Sequence, residues 1–121
     1  MEKEFVPYEL AVKLKALGFD EPCFGWYEHN GNFYYCYQEG IVPPTPSKKL
    51  IKGCCLAPTF SQAFRWFREK HFKMSYVYYD LKYKFSFCIG YNDKAKEYET
   101  YEEAELACLD KLIEIVEYKS E

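Results

Sequence analysis

The sequence has little of what catalysis or metal binding leaves in a chain. It holds two histidines, His29 and His71, and no C-x-x-C pair, which excludes the common structural zinc frameworks. No Gly-rich phosphate loop, paired catalytic carboxylate motif or nucleophile elbow occurs in it. No stretch approaches the ~20 apolar residues of a membrane-spanning helix. Met1-Glu2-Lys3-Glu4-Phe5 lacks the basic start and apolar run of a signal peptide. With a net charge of −3 and a pI near 5.5, no whole-molecule attraction to a phosphate backbone is expected. These absences lead to an expectation of a cytoplasmic protein with no membrane partner and no cofactor. In that compartment its six cysteines are thiols.

What the chain does have is aromatic mass. Its 121 residues suffice for one domain with its own core, and 21% of them are aromatic, with 13 Tyr and 10 Phe. Phe suits the core, whereas so many Tyr imply a partly exposed surface.

The first element reads as a helix opened by Pro7, with Leu10, Leu14 and Leu17 on one stripe and Gly18-Phe19 as a left-handed stop. A hairpin follows, Cys23–Glu28 and Phe33–Tyr37 around His29-Asn30-Gly31-Asn32, where Asn-Gly supplies the positive φ angles of a tight two-residue turn. Phe33, Tyr35 and Tyr37 share one face and Tyr34 and Cys36 the other, so both faces are largely apolar. Residues 38–53 hold Pro43, Pro44 and Pro46 with Lys48, Lys49 and Lys52, and read as a flexible surface loop. A clamp over a site is the functional alternative for that loop.

Thr59 and Gln62 fit a capping box, opening a second helix with Phe60, Ala63, Phe64 and Phe67 buried, Trp66 flanking, and Arg65, Arg68 and Glu69 elsewhere. A second hairpin reads as Ser75–Tyr79, a turn at Asp80-Leu81-Lys82, and Tyr83–Ile89. In its second strand Tyr83, Phe85, Phe87 and Ile89 alternate with Lys84, Ser86 and Cys88. After a turn at Asn92-Asp93-Lys94, Glu97-Tyr98-Glu99 reads as a short edge strand. Thr100 to Glu103 is another capping box, opening a helix to about Val116. That helix has one stripe of Ala104, Cys108, Leu112 and Ile115 and a second of Leu106, Leu109 and Ile113, which predicts deep burial or a contact with another subunit.

A shift of 52 residues carries Tyr8 onto Phe60, Trp26 onto Tyr78, Phe33 onto Phe85 and Cys36 onto Cys88. The order is αββ-αββ-α, with an internal duplication over 7–37 and 59–89. The expected fold is α+β: a single two-layer domain over 1–121, its antiparallel sheet of four to five strands carrying helices on one face.

The candidate sites are few. Cys54 and Cys55 are adjacent, so a metal site would need one of them with Cys36, Cys88 or His71; small buried thiols filling the core are the plainer reading. A Cys-His nucleophile needs contacts that no spacing here implies, and both histidines read as punctuation, with His71 suited to a helix C-terminus when protonated. The cationic face of Arg65, Arg68, Lys70 and His71 is a solvated face or a contact for phosphate or an acidic partner.

The phrases Phe5-Val6-Pro7-Tyr8-Glu9, Leu17 to Gly25, Ala57-Pro58-Thr59 with Gln62 to Lys70, and Thr100 to Ala104 resemble, together, a family of short uncharacterised proteins of Bacteroides-type bacteria and their phages or mobile elements. That resemblance implies a cytoplasmic accessory protein of mobile-element origin and carries over no catalytic residue. The expected function is therefore a non-enzymatic accessory domain acting by protein–protein interaction or self-association. Its candidate surface is Arg65, Arg68, Tyr34, Tyr78, Leu106, Leu109 and Ile113. The alternatives are single-stranded nucleic-acid binding through an aromatic sheet face with Arg65 and Arg68, and a Cys/His-dependent enzyme or metal protein.

Overall fold

The computed structural model describes residues 4–35, 54–79, 84–90 and 96–119. The order of elements is α1 (Tyr8–Ala16), β1 (Gly25–Tyr27), β2 (Phe33–Tyr35), β3 (Cys55–Ala57), α2 (Phe60–His71), β4 (Ser75–Tyr79), β5 (Phe85–Ile89) and α3 (Tyr101–Lys119). The fold is α+β, with two small antiparallel sheets, one ordered β2-β1-β3 and the other β4-β5. The chain divides into two units, residues 1–62 and 63–121, with the boundary inside α2. Among the described residues no helix is long and apolar enough to cross a membrane. Positions 38–53 and the turns at Asp80-Leu81-Lys82 and Asn92-Asp93-Lys94 lie outside the described residues, as do Cys36, Tyr37 and Tyr83.

In the first unit α1 ends as its sequence requires. Gly18 takes φ +100°, letting its N–H reach the Lys15 carbonyl and the Phe19 N–H reach Leu14, both at 3.0 Å. This is the Schellman arrangement, and Phe19 is buried beyond it. Pro7 stands one position before the helix, at its N-cap, with φ −60° and ψ 156°. Leu10, Ala11 and Leu14 are buried, and α1 packs on β3.

The first hairpin differs from the tight turn expected. Glu28 N–H donates to Asn32 O and Gly31 N–H to Glu28 O, both at 2.9 Å, leaving His29, Asn30 and Gly31 as the loop. Only Gly31 has positive φ there, so a β-turn over Glu28–Gly31 is followed by a left-handed glycine, the three-residue form. The reason lies in local competition. The Asn30 carboxamide oxygen accepts from the Asn32 N–H at 3.0 Å, which holds Asn30 at negative φ.

β3 is an element the sequence pattern did not announce. Gly25 faces both Tyr35 and Ala57, and Tyr27 faces both Phe33 and Cys55, so β1 is the central strand. One face carries Gly25, Tyr27, Phe33, Tyr35, Cys55 and Ala57, and Phe5 lies against it at ring distances of 4.9 Å from Phe33 and 5.8 Å from Tyr35. The other face carries Trp26, Tyr34 and Leu56.

In the second unit α3 packs against both β4 and β5. It runs to Lys119, past the expected end near Val116. Ala104, Cys108, Leu109, Leu112, Ile113 and Val116 are its buried residues. The two stripes therefore merge into one buried arc, while Leu106 stays 39% exposed. Trp66, expected at the margin of α2, is 4% exposed and sits with Phe67 at 5.0 Å between ring centroids. β5 alternates with period two as expected, and the small residues are on its more deeply buried face: Ser86 is 0% exposed and Cys88 6%, and Phe85, Phe87 and Ile89 are half-buried. The Ser86 hydroxyl, donating to the Lys96 carbonyl at 2.9 Å, offsets its burial. Tyr98 meets Phe85 in one isolated bridge rather than a strand.

The described strands thus form two ladders, and the single sheet of four to five strands is not shown. Residues 55–57 complete the first hairpin's own sheet, giving αβββαββα as the observed order.

Candidate interaction surface

The residues that stand out lie where α2 hands over to β4. No glycine follows α2. Phe72 itself takes the left-handed φ of 55°, the one such non-glycine among the described residues, and the Lys73 N–H reaches back to the Phe67 carbonyl at 3.0 Å. A side chain at positive φ costs ~1–3 kcal/mol. Burial does not repay it here, because Phe72 is 85% exposed. β4 follows, and two further apolar residues around its start are open, Met74 at 61% and Tyr76 at 59% exposure. Tyr78, two residues beyond Tyr76 in β4, is half-buried, its ring 5.8 Å from that of Tyr76.

The backbone of β4 follows a definite parity. Gly90 N–H donates to Met74 O at 2.8 Å, which makes Met74 and Gly90 a hydrogen-bonded pair. With Ser75 opposite Ile89 and Val77 opposite Phe87, those pairs and Tyr79–Phe85 are the non-bonded ones. Phe85 agrees: its N–H and C=O turn away from β4 and bond Tyr98 at 2.9 and 2.7 Å. The N–H and C=O of Ser75 and Val77 accordingly point away from β5. Among the described residues no strand pairs with that edge.

The seven residues expected at the surface fare differently. Arg65 and Arg68 are exposed on α2, opposite buried Ala63, Trp66 and Phe67, and Arg65 lies 4.0 Å from Glu69. Tyr34, in the first unit, is 41% exposed, stacked on Trp26 at 4.9 Å, with its hydroxyl donating to Glu28 Oε1 at 2.7 Å. That bond holds the phenol above its ordinary pKa, since deprotonation would set two anions together. Tyr78 and Leu106 reach the surface in part. Leu109 and Ile113 do not: both are 0% exposed, already covered within the chain, and neither can serve a partner. Phe72 and Met74 were missed in reading the sequence. Their signal was the absence of glycine after α2, followed by the alternation Phe72, Met74, Tyr76, Tyr78.

The sulfur and histidine chemistry points elsewhere. Cys23, Cys54, Cys55, Cys88 and Cys108 are buried. Burial pushes the Cys55 thiol up to about 11 against the nearby Lys15 ammonium, and pushes Cys108 up to about 12. Lys15 Nζ is itself spent on the Cys54 carbonyl at 2.7 Å. Such thiols are poor nucleophiles. His71 packs on Trp66 at 4.7 Å and Phe67 at 5.8 Å, and burial, then Lys73, lowers its pKa. The protonated, dipole-stabilised His71 expected from its position is therefore not what the structure favours. Among the described residues no group of three or more His, Cys, Asp or Glu could hold a metal ion. Comparison with protein-family models, curated proteins and solved structures returns no match.

Proposed function

We propose that this chain is a non-enzymatic accessory domain that works by contact with protein, self-association included. The observation that carries this reading is the exposure of Phe72, Met74 and Tyr76, close together in the chain, with Phe72 held at positive φ. Strain of that kind concentrates at recognition sites, and contiguous exposed apolar residues mark surfaces for partners. Nucleic-acid binding has less support, since the ring of Tyr34 is already stacked on Trp26 and the net charge is −3.

The same reading takes residues 7–37 and 59–89 as copies of one αββ element. The shift of 52 residues maps the start of α1 onto that of α2, and the pairs Gly25–Tyr35, Trp26–Tyr34 and Tyr27–Phe33 onto Val77–Phe87, Tyr78–Ser86 and Tyr79–Phe85. A single sheet of four to five strands with helices on one face is the layering that goes with the duplication. The two described ladders support its antiparallel hairpins and no more. The cytoplasmic, mobile-element setting rests on the sequence resemblance.

A photo-crosslinking residue at position 76 tests the reading in cells. Discrete crosslinked protein species are expected, lost when Phe72→Ser and Met74→Ser are added. No crosslinked species, or species indifferent to those changes, would overturn it.

A further inference from the structure

We infer that Asn30 is a modification site, converted to aspartate and isoaspartate through a ring closed with Gly31, and that the folded hairpin loop holds this reaction shut. The reaction needs neither the Phe72 surface nor a partner.

The chemistry belongs to the residue pair. Asn30-Gly31 is the one Asn-Gly step in the chain, and its loop is exposed at His29, Asn30 and Asn32. Glycine has no side chain to hinder attack by its nitrogen on the preceding carboxamide. The Gly31 nitrogen bonds to Cγ of Asn30, and its proton leaves with Nδ2 as ammonia, closing a five-membered succinimide. Water then adds to either ring carbonyl. Opening at the main-chain carbon gives isoaspartate, and opening at Cγ gives aspartate. Either way one ammonia is lost and one water gained, with no change of oxidation state.

The fold engages both reacting groups. Gly31 N–H, on the nucleophilic nitrogen, donates to the Glu28 carbonyl at 2.9 Å. Attack needs that nitrogen without its proton, and a carbonyl acceptor retains it there. The electrophile is held as well, since the Asn30 carboxamide oxygen accepts from Asn32 N–H at 3.0 Å. That bond fixes the orientation of the carboxamide within the loop. Ring closure therefore waits on an opening in which both bonds are given up.

The loop is itself pinned from α1. The Tyr8 hydroxyl donates to the His29 carbonyl at 2.9 Å, and the Tyr8 ring lies 3.5 Å from where a Cβ on Gly31 would stand. Glu28 N–H closes the base of the loop on Asn32 O at 2.9 Å. Isoaspartate puts one more carbon into the main chain between residues 30 and 31 and leaves a free carboxylate on the Cα of residue 30. A three-residue loop closed by such short bonds has no slack for that carbon. The modification thus follows an opening of the hairpin and then keeps it open.

The experiment follows conversion at Asn30 in the full chain by peptide mapping with isoaspartate detection, at mildly alkaline pH, in buffer and in unfolding urea. Conversion in buffer should be slower by about tenfold or more, because the loop must open first. Tyr8→Phe keeps the ring and loses the bond to His29. This variant should convert severalfold faster with an unchanged circular dichroism spectrum, and its Gly31 amide should exchange faster by a like factor. The purified isoaspartate product, returned to buffer, should show no protection of the Gly31 amide. Equal rates in buffer and urea, a folded Tyr8→Phe chain that converts no faster, or a protected Gly31 amide in the product would each overturn the inference. So would an Asn30 that stays intact in urea. Should Tyr8→Phe fail to fold, the ratio of the two wild-type rates decides.

Discussion

Gly25 lies beneath the ring of Phe33 so closely that a Cβ on it would stand 2.7 Å from Phe33 Cε1 and Cζ and 3.2 Å from Phe5 Cε1. The constraint is steric, because Gly25 is not among the positive-φ glycines. Gly25→Ala must therefore push two packed rings aside in the central strand of the first sheet. A loss of about 1–3 kcal/mol in urea denaturation is expected, the range for overpacking a filled site. A neutral outcome would mean that Phe33 and Phe5 repack without cost.

Thr59 and Thr100 each cap a helix, accepting from Gln62 N–H and Glu103 N–H, both at 3.1 Å. Neither capping box closes in full. The Gln62 side chain donates to the Pro22 carbonyl at 2.8 Å, and the Glu103 carboxylate accepts from the Thr100 hydroxyl at 3.2 Å. Thr→Ala at either site should cost roughly 0.5–2 kcal/mol. Gln62→Ala should destabilise as well, by about 0.5–1.5 kcal/mol, through the lost bond to Pro22. Thermal unfolding of the three variants checks this.

Phe72→Gly should stabilise the monomer. Its left-handed φ of 55° suits glycine, and a side chain 85% exposed leaves little burial to lose. A gain of about 1 kcal/mol is expected. In the same variant, crosslinking from position 76 should weaken. Gain of stability with loss of contact is what separates a recognition residue from an incidental strain.

The buried thiols set an alkaline limit. Cys55 and Cys108 are raised in the folded chain, so their contribution is complete below the unfolded thiol pKa of about 9. It is lost as pH rises towards about 11 and about 12, where the folded chain also ionises. The unfolding constant should grow by up to tenfold per thiol per pH unit in that window. Alkylation at pH 8 should label neither cysteine until the chain unfolds.

His71 has the opposite sign. Its folded pKa is lowered, so the stability it contributes is present above the ordinary 6.5 and is lost as pH falls through the folded value. An imidazole resonance for His71 that titrates below 6.5 is expected. A midpoint at or above 6.5 would contradict the packing on Trp66 and Phe67.

Much of this protein is local and could be read from residue order. Gly18-Phe19 after Leu17 dictates a Schellman stop, since only glycine accepts that φ cheaply and the two N–H groups then reach Leu14 and Lys15. Thr59 and Thr100 mark helix starts because their hydroxyls lie within reach of the third residue on. Both hairpins were legible from alternation and turn residues, although the bond from Asn32 to the Asn30 side chain decided the loop length.

Tertiary structure alone decided the rest. Three residues, Cys55-Leu56-Ala57, are too short to show a period, and they form a strand only because β1 presents an edge to them. Ser86 and Cys88 are buried and Phe85 and Phe87 half-buried because burial depends on what covers each face, which alternation does not specify. Leu109 and Ile113 read as a second stripe for a partner, yet their own chain covers them, because the width of an apolar arc does not say whose surface will meet it. The sequence by itself determined where elements begin and stop, through bonds a few residues long. Which edges pair and which faces are covered depend on contacts between distant residues, and those the folded chain alone supplies.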